Sequence, residues 1–88
     1  MRAAAQTGKP VILSDGVATH TELVAALDAV YQETGDLAGL LSCVAEYPAD
    51  APAYGFGKLV NWWTPWGVSD HTVNPAVPTA AVAMGATF

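Results

Sequence analysis

Three short apolar runs in this chain each stop at a polar cluster, and that punctuation narrows the folds open to it. Val11-Ile12-Leu13 runs into Ser14-Asp15-Gly16, Leu40 to Val44 leads to Glu46-Tyr47-Pro48, and Trp66-Gly67-Val68 ends at Ser69-Asp70-His71. The first run is continuous rather than alternating, the pattern of a strand covered on both faces, as in a parallel sheet. Between the first two runs, Thr19-His20-Thr21-Glu22 reads as a capping box. Leu23, Val24, Leu27, Val30 and Tyr31 then fall at helical spacing, with Gly35 as the C-terminal cap. Residues 49–61 are rich in Ala, Pro and Gly and only weakly helical. After the third run, Asn74-Pro75 or Val77-Pro78 opens a helix through Ala80 to Met84, closed by Gly85, and Ala86-Thr87-Phe88 begins a fourth strand.

Strand, helix, strand, poor helix, strand, helix, strand is the order of right-handed βαβ units in a parallel sheet. In such folds the chemistry sits at the C-terminal ends of the strands, where the three polar clusters fall. A GxGxxG or GxxxxGK[ST] phosphate loop is absent, which disfavours an open doubly wound nucleotide-binding domain.

Composition bounds the rest. Hydrophobic residues make up 52% of the 88 and charged residues 12%, where a soluble domain usually has roughly 25% charged. A chain this short buries only about 60–65% of its unfolded surface. So little charge therefore suits one domain, residues 1–88, that is a piece of a larger core. The net charge of −5, with only Arg2, Lys9 and Lys58 as cations, excludes a nucleic-acid partner, because phosphate neutralisation needs clustered Lys and Arg. A single cysteine, Cys43, allows no internal disulfide and fits a reducing compartment. The N-terminal MRAAAQTGKP lacks the apolar core of a signal peptide, and no apolar run approaches the ~20 residues that span a bilayer. The expected location is the cytoplasm, without membrane association.

Three stretches together, TGKPVILSDGVAT (7–19), LLSCVAEYP (40–48) and WGVSDHTVNPAVPTAAVAMGAT (66–87), resemble consecutive strand-to-loop segments of the sialic acid synthase family, which includes N-acetylneuraminate, legionaminate and pseudaminate synthases. The resemblance implies part of a TIM (β/α)8 barrel, about strands 5 to 8, incomplete in 88 residues because a whole barrel takes about 250. It implies a transferase of carbohydrate biosynthesis that condenses phosphoenolpyruvate with an N-acetylmannosamine-type sugar to a nine-carbon 2-keto acid, using a divalent metal (Mn2+ or Mg2+). On that resemblance His71 is one of two metal-binding histidines, Ser14 and Ser69 bind phosphoenolpyruvate, and Tyr47 lines the sugar side of the pocket. The second histidine, a glutamate, the phosphoenolpyruvate lysines and an arginine from an antifreeze-like domain belong outside these residues. The chain alone is therefore expected to be inactive, and to join a homo-oligomer through the rest of the protein.

The sequence also departs from the family pattern. Ala45 stands where a serine or asparagine is usual, Ser42 replaces a histidine, and Asp15 replaces a threonine, bringing negative charge toward the expected phosphate site. The Tyr47-to-Ser69 connection is shorter than usual.

Each candidate has a plainer reading. A strand-end histidine such as His71 is more often hydrogen-bonded structure than a ligand, Asp70 caps a turn as readily as it binds metal or orients His71, Ser14 begins a turn with Asp15-Gly16, and Tyr47 packs before Pro48. Trp62, Trp63 and Trp66 read as aromatic packing rather than a sugar platform. Cys43 reads as a buried small apolar side chain, and His20, Glu22, Asp28, Glu33 and Asp36 as a solvated helix surface. A second function class also stands: a non-catalytic truncated product that self-associates through open sheet edges and apolar faces.

Overall fold

A computed structural model describes residues 1–88. Three strands, β1 (Ile12–Ser14), β2 (Gly39–Cys43) and β3 (Trp66–Ser69), pair in parallel in the order β1-β2-β3. Leu13 lies opposite Leu40, Leu40 opposite Trp66, and Cys43 opposite Ser69. Three helices, α1 (Arg2–Ala5), α2 (His20–Thr34) and α3 (Ala76–Ala83), complete the regular elements. Two 3₁₀ turns, Ala51–Ala53 and Phe56–Lys58, occupy the β2–β3 connection. No helix is long and apolar enough to cross a membrane.

Helix α2 forms where its local signals say it must. Thr19 is the N-cap, its hydroxyl accepts from the Glu22 N–H, and the Glu22 carboxylate accepts from the Thr19 N–H at 2.8 Å. Gly35 ends the helix at φ 73°, a left-handed turn that costs glycine nothing. Leu23, Leu27 and Val30 face inward and join Leu13, Leu40 and Trp66 in one core, completed by Phe56, Leu59, Val77 and Ala81. Leu27, Val30 and Leu40 are fully enclosed, each worth about 1.5–3 kcal/mol in transfer from water.

One face of the sheet carries this core, and the other stays open. Ile12, Ser14, Leu41, Cys43 and Ser69 alternate onto the open face, where Ile12 is 57% exposed. The expectation that the first strand is covered on both faces is thus corrected: within this chain the helices cover one side only. Phe88 covers a patch of the other, its ring lying where Cβ atoms on Gly39 and Gly67 would stand. The Thr87 N–H donates to the Trp66 carbonyl at 2.8 Å and the Val68 N–H to that of Phe88 at 3.1 Å, which holds the last residues against β3. The expected fourth strand at 86–88 is not formed: the sheet ends at β3, and these residues are tied to it by those bonds.

Other differences are local. Short helix α1 carries no sequence signal; Ala5, buried in the core, holds it down, with Gln6 donating to Glu33 at 3.1 Å and Arg2 4.0 Å from the same carboxylate. Helix α3 opens at Asn74-Pro75, the first of the two starts the sequence allows, with the Asn74 side chain accepting from the Ala76 N–H. The tryptophans do not cluster. Trp66 is buried against Phe56, Trp62 meets His20 edge-on at 5.3 Å, and Trp63 is 59% exposed.

The capping box sets two expectations. Thr19→Ala should cost about 1 kcal/mol in urea unfolding. The Thr19 N–H, and after it the Thr19 hydroxyl, hold the Glu22 carboxyl below its ordinary value. The charged form therefore stabilises the fold above the unfolded-chain value of about 4.3, and this contribution is lost as pH falls through the lower folded value. Unfolding midpoints should drop below about pH 4.3, and Glu22→Gln should flatten that part of the profile.

Candidate functional site

The C-terminal ends of β2 and β3 lie side by side, so the loops that leave them meet. His71, two residues beyond β3, places its imidazole against the loop after β2. Its Nδ1 lies 2.8 Å from the Val44 carbonyl oxygen. A carbonyl only accepts, so Nδ1 carries the hydrogen and Nε2 carries the lone pair. The ring is half-buried, and its free nitrogen faces two hydroxyls, Ser69 Oγ at 3.1 Å and Tyr47 Oη at 3.0 Å.

The two hydroxyls approach differently. The Tyr47 and His71 rings stack at 4.2 Å between centroids and 20° between planes. Rings so nearly parallel cannot share a plane at that spacing, so the Tyr47 oxygen lies over the imidazole face. The in-plane lone pair of Nε2 stays clear of it. Tyr47 itself is 80% exposed, a surface aromatic laid on the histidine rather than a packed core residue.

Asp70, between Ser69 and His71, turns away. Its carboxylate accepts from the Thr72 N–H at 2.8 Å and the Thr72 hydroxyl at 2.7 Å, an Asx turn that starts the run into α3. Of its alternatives, turn capping is the one its contacts support.

Ser14 is not part of this group. It ends β1 on the same open face as Ser69, but β2 intervenes, a lateral separation of about 10 Å. Its exposed hydroxyl has no partner within the chain. The neighbouring Asp15 is structural. Its carboxylate accepts from the Cys43 N–H at 2.7 Å, while its own N–H donates to the Leu41 carbonyl at 2.9 Å. Asp15 thus extends the β1–β2 pairing past the last strand residue. Cys43 is half-buried on the open face opposite Ser69, not enclosed as its residue type suggests.

Two groups at this site are not singled out by the residue pattern. The Val44 carbonyl sets the tautomer, and a backbone oxygen is invisible in a sequence. Tyr54 lies in the Ala-, Pro- and Gly-rich connection; its hydroxyl donates to the Ser69 carbonyl at 2.8 Å and accepts from the His71 N–H at 2.9 Å. An aromatic in a stretch otherwise poor in large side chains is the one available cue.

Parallel βα units with polar groups gathered at the strand ends define the class: an α/β scaffold with a parallel sheet. Within that class the chain belongs to the NeuB family, whose model matches residues 1–88. It is 40% identical over 89 residues to the pseudaminic acid synthase of Helicobacter pylori, covering 97% of this chain and 26% of that protein. Similarity to the N,N'-diacetyllegionaminic acid synthase of Legionella pneumophila is 38% over 85 residues, covering 88% and 24%. Among solved structures, the N-acetylneuraminic acid (sialic acid) synthetase of Leptospira borgpetersenii serovar Hardjo-bovis, in complex with citrate, superposes with a TM-score of 0.85 at 34% identity, covering 97% of this chain and 31% of that one. The chain therefore spans roughly a quarter of the length of these curated relatives. The resemblance to sialic acid synthases expected from the three sequence stretches is borne out.

Because Asp15 accepts from a backbone N–H across the β1–β2 pair, its loss should register in stability. Asp15→Ala is expected to lower the unfolding free energy by about 1.5–3 kcal/mol, the usual range for a hydrogen bond to a charged group. A urea titration reads it directly.

Proposed function

We propose that these residues form part of the catalytic barrel of a sialic-acid-type synthase, about strands 5 to 8 of a (β/α)8 fold, acting in the cytoplasm. The reaction joins phosphoenolpyruvate to an N-acetylmannosamine-type sugar, making a carbon–carbon bond at the sugar aldehyde and releasing phosphate. One observation supports this reading above the others: the Val44 carbonyl orients His71 so that Nε2 is the accepting nitrogen, among the hydroxyls of Ser69 and Tyr47, at the C-terminal edge of a parallel sheet.

A neutral imidazole held through Nδ1 by a carbonyl is a good ligand through Nε2. The chain contains no group of three His, Cys, Asp or Glu side chains able to hold a metal ion, so His71 fits one ligand position and the other donors come from beyond these residues. A divalent Mn2+ or Mg2+ bound there would polarise the sugar's aldehyde oxygen. Ser69 and, from the neighbouring strand end, Ser14 offer hydroxyl donors to the oxygens of phosphoenolpyruvate. Tyr47 presents an exposed aromatic face and a hydroxyl to the sugar. Assembly into a homo-oligomer would run through the parts of the protein outside this segment.

The test is a chimera in which residues 1–88 replace the matching segment of the Helicobacter pylori relative, assayed for 2-keto acid formed from phosphoenolpyruvate and N-acetylated hexosamines. Activity is expected, with His71→Ala lowering it at least about 100-fold and shifting the metal requirement upward. A folded chimera in which His71→Ala leaves both the rate and the metal requirement unchanged would remove His71 from the reading. Self-association of an inert product would instead be indicated if no keto acid forms and the 88-residue chain sediments as a stable oligomer that buries Ile12.

A further inference from the structure

The His71 imidazole has a defined tautomer only if its backbone is held where Nδ1 can reach the Val44 carbonyl. Nothing on β3 does this, because His71 lies two residues past the last strand residue. Two bonds reach it from the β2–β3 connection. The His71 carbonyl accepts from the Ala49 N–H at 2.9 Å, and the His71 N–H donates to the Tyr54 hydroxyl at 2.9 Å. The same Tyr54 hydroxyl donates to the Ser69 carbonyl at 2.8 Å. One phenol thereby closes a bridge across Asp70, from the residue that supplies the Oγ to the residue that supplies the Nε2.

The bridge is anchored in the core rather than in solvent. Tyr54 is half-buried; its ring packs on Phe56 at 5.8 Å, and Phe56 packs on Trp66 at 5.8 Å. Phe56 and Trp66 are both buried. Neither hydrogen bond can be supplied by a phenylalanine of the same shape, so the packing and the bridging of Tyr54 are separable.

We propose that Tyr54 is a positioning residue: through its hydroxyl it fixes the spacing of Ser69 and His71 and keeps the imidazole in the Nδ1–H form, with Nε2 turned to the ligand side. This deepens the function proposed above and rests on its reading of His71 as the residue that offers Nε2. Tyr54 touches no reacting group itself. It acts through the backbone on either side of Asp70, and the connection that delivers it holds two 3₁₀ turns between the strands.

The tautomer is the readout, since a loss of packing alone does not move it. Imidazole 15N shifts of the neutral ring, with His71 assigned by comparison with His71→Gln, are measured in the 88-residue chain and in Tyr54→Phe. The parent is expected to show Nδ1–H. In Tyr54→Phe the Nε2–H form should become the major one, and the His71 amide should exchange about tenfold faster, the effect of losing one ordinary hydrogen bond. Phe56→Leu, which loosens the same packing and keeps the hydroxyl, should leave the tautomer as in the parent.

A folded Tyr54→Phe chain that keeps Nδ1–H would overturn the positioning role and leave the reading of His71 standing. A parent that shows Nε2–H would overturn both. The parent also gives a second result without any substitution: a cross-peak between the His71 amide proton and the Tyr54 ring protons beside the hydroxyl. Its absence would refute the bridge even if Tyr54→Phe fails to fold.

Discussion

Parallel pairing of three short strands is the constraint from which the rest of the molecule follows. Parallel strands point the same way, so each loop that leaves a strand end emerges at one edge, and each connection must travel back across a face of the sheet. In this chain the returning segments all use one face. Leu23, Leu27 and Val30 of α2, Phe56 and Leu59 of the connecting turns, and Val77 and Ala81 of α3 share a core with Leu13, Leu40 and Trp66. The opposite edge is left with what the strands carry outward: Asp15, Val44, Ser69 and His71. Stability and site are thus divided by the geometry of the pairing, apolar contacts on one face and hydrogen-bonding groups at one edge.

At that edge the chemistry depends more on backbone than on side chains. Val44 contributes a carbonyl, Cys43 an N–H, and Ser69 and His71 one group each to Tyr54. Backbone groups at the ends of strands have no ladder partner, and buried or half-buried ones need a bond from somewhere. Here those needs are met by the side chains of Asp15 and Tyr54 and by the ring of His71. The arrangement satisfies the backbone and, in the same act, orients an imidazole.

The parts of the structure legible in the residues are those governed by nearby residues. Thr19, Glu22 and Gly35 bound α2 because a capping box and a left-handed glycine act within one turn of chain. Leu40 and Trp66 mark buried strand positions because their neighbours are apolar too. The resemblance carries His71, Ser69 and Tyr47 to one place, and the structure brings those three together while leaving Ser14 across β2 from them. What is not legible depends on contacts distant in sequence. Asp15 reads only as a charge near a phosphate site, and its bond from the Cys43 N–H, 28 residues on, carries no local signal. Tyr54 has no periodicity to flag it, and its partners lie 15 and 17 residues away. Helix α1 is four residues long, too short to show a period, and exists through its contact with α2.

The two glycines under Phe88 carry a consequence of another kind. A methyl group at position 39 would meet only the tip of an aromatic ring, which can swing aside. One at position 67 would meet the Phe88 backbone as well as its ring, and that backbone is hydrogen-bonded to β3. The two sites should therefore differ in how well they tolerate a side chain. A smaller residue at 88 would make room for a side chain at 39. Position 67 has no such remedy, because the clash there is with backbone as well as with a side chain.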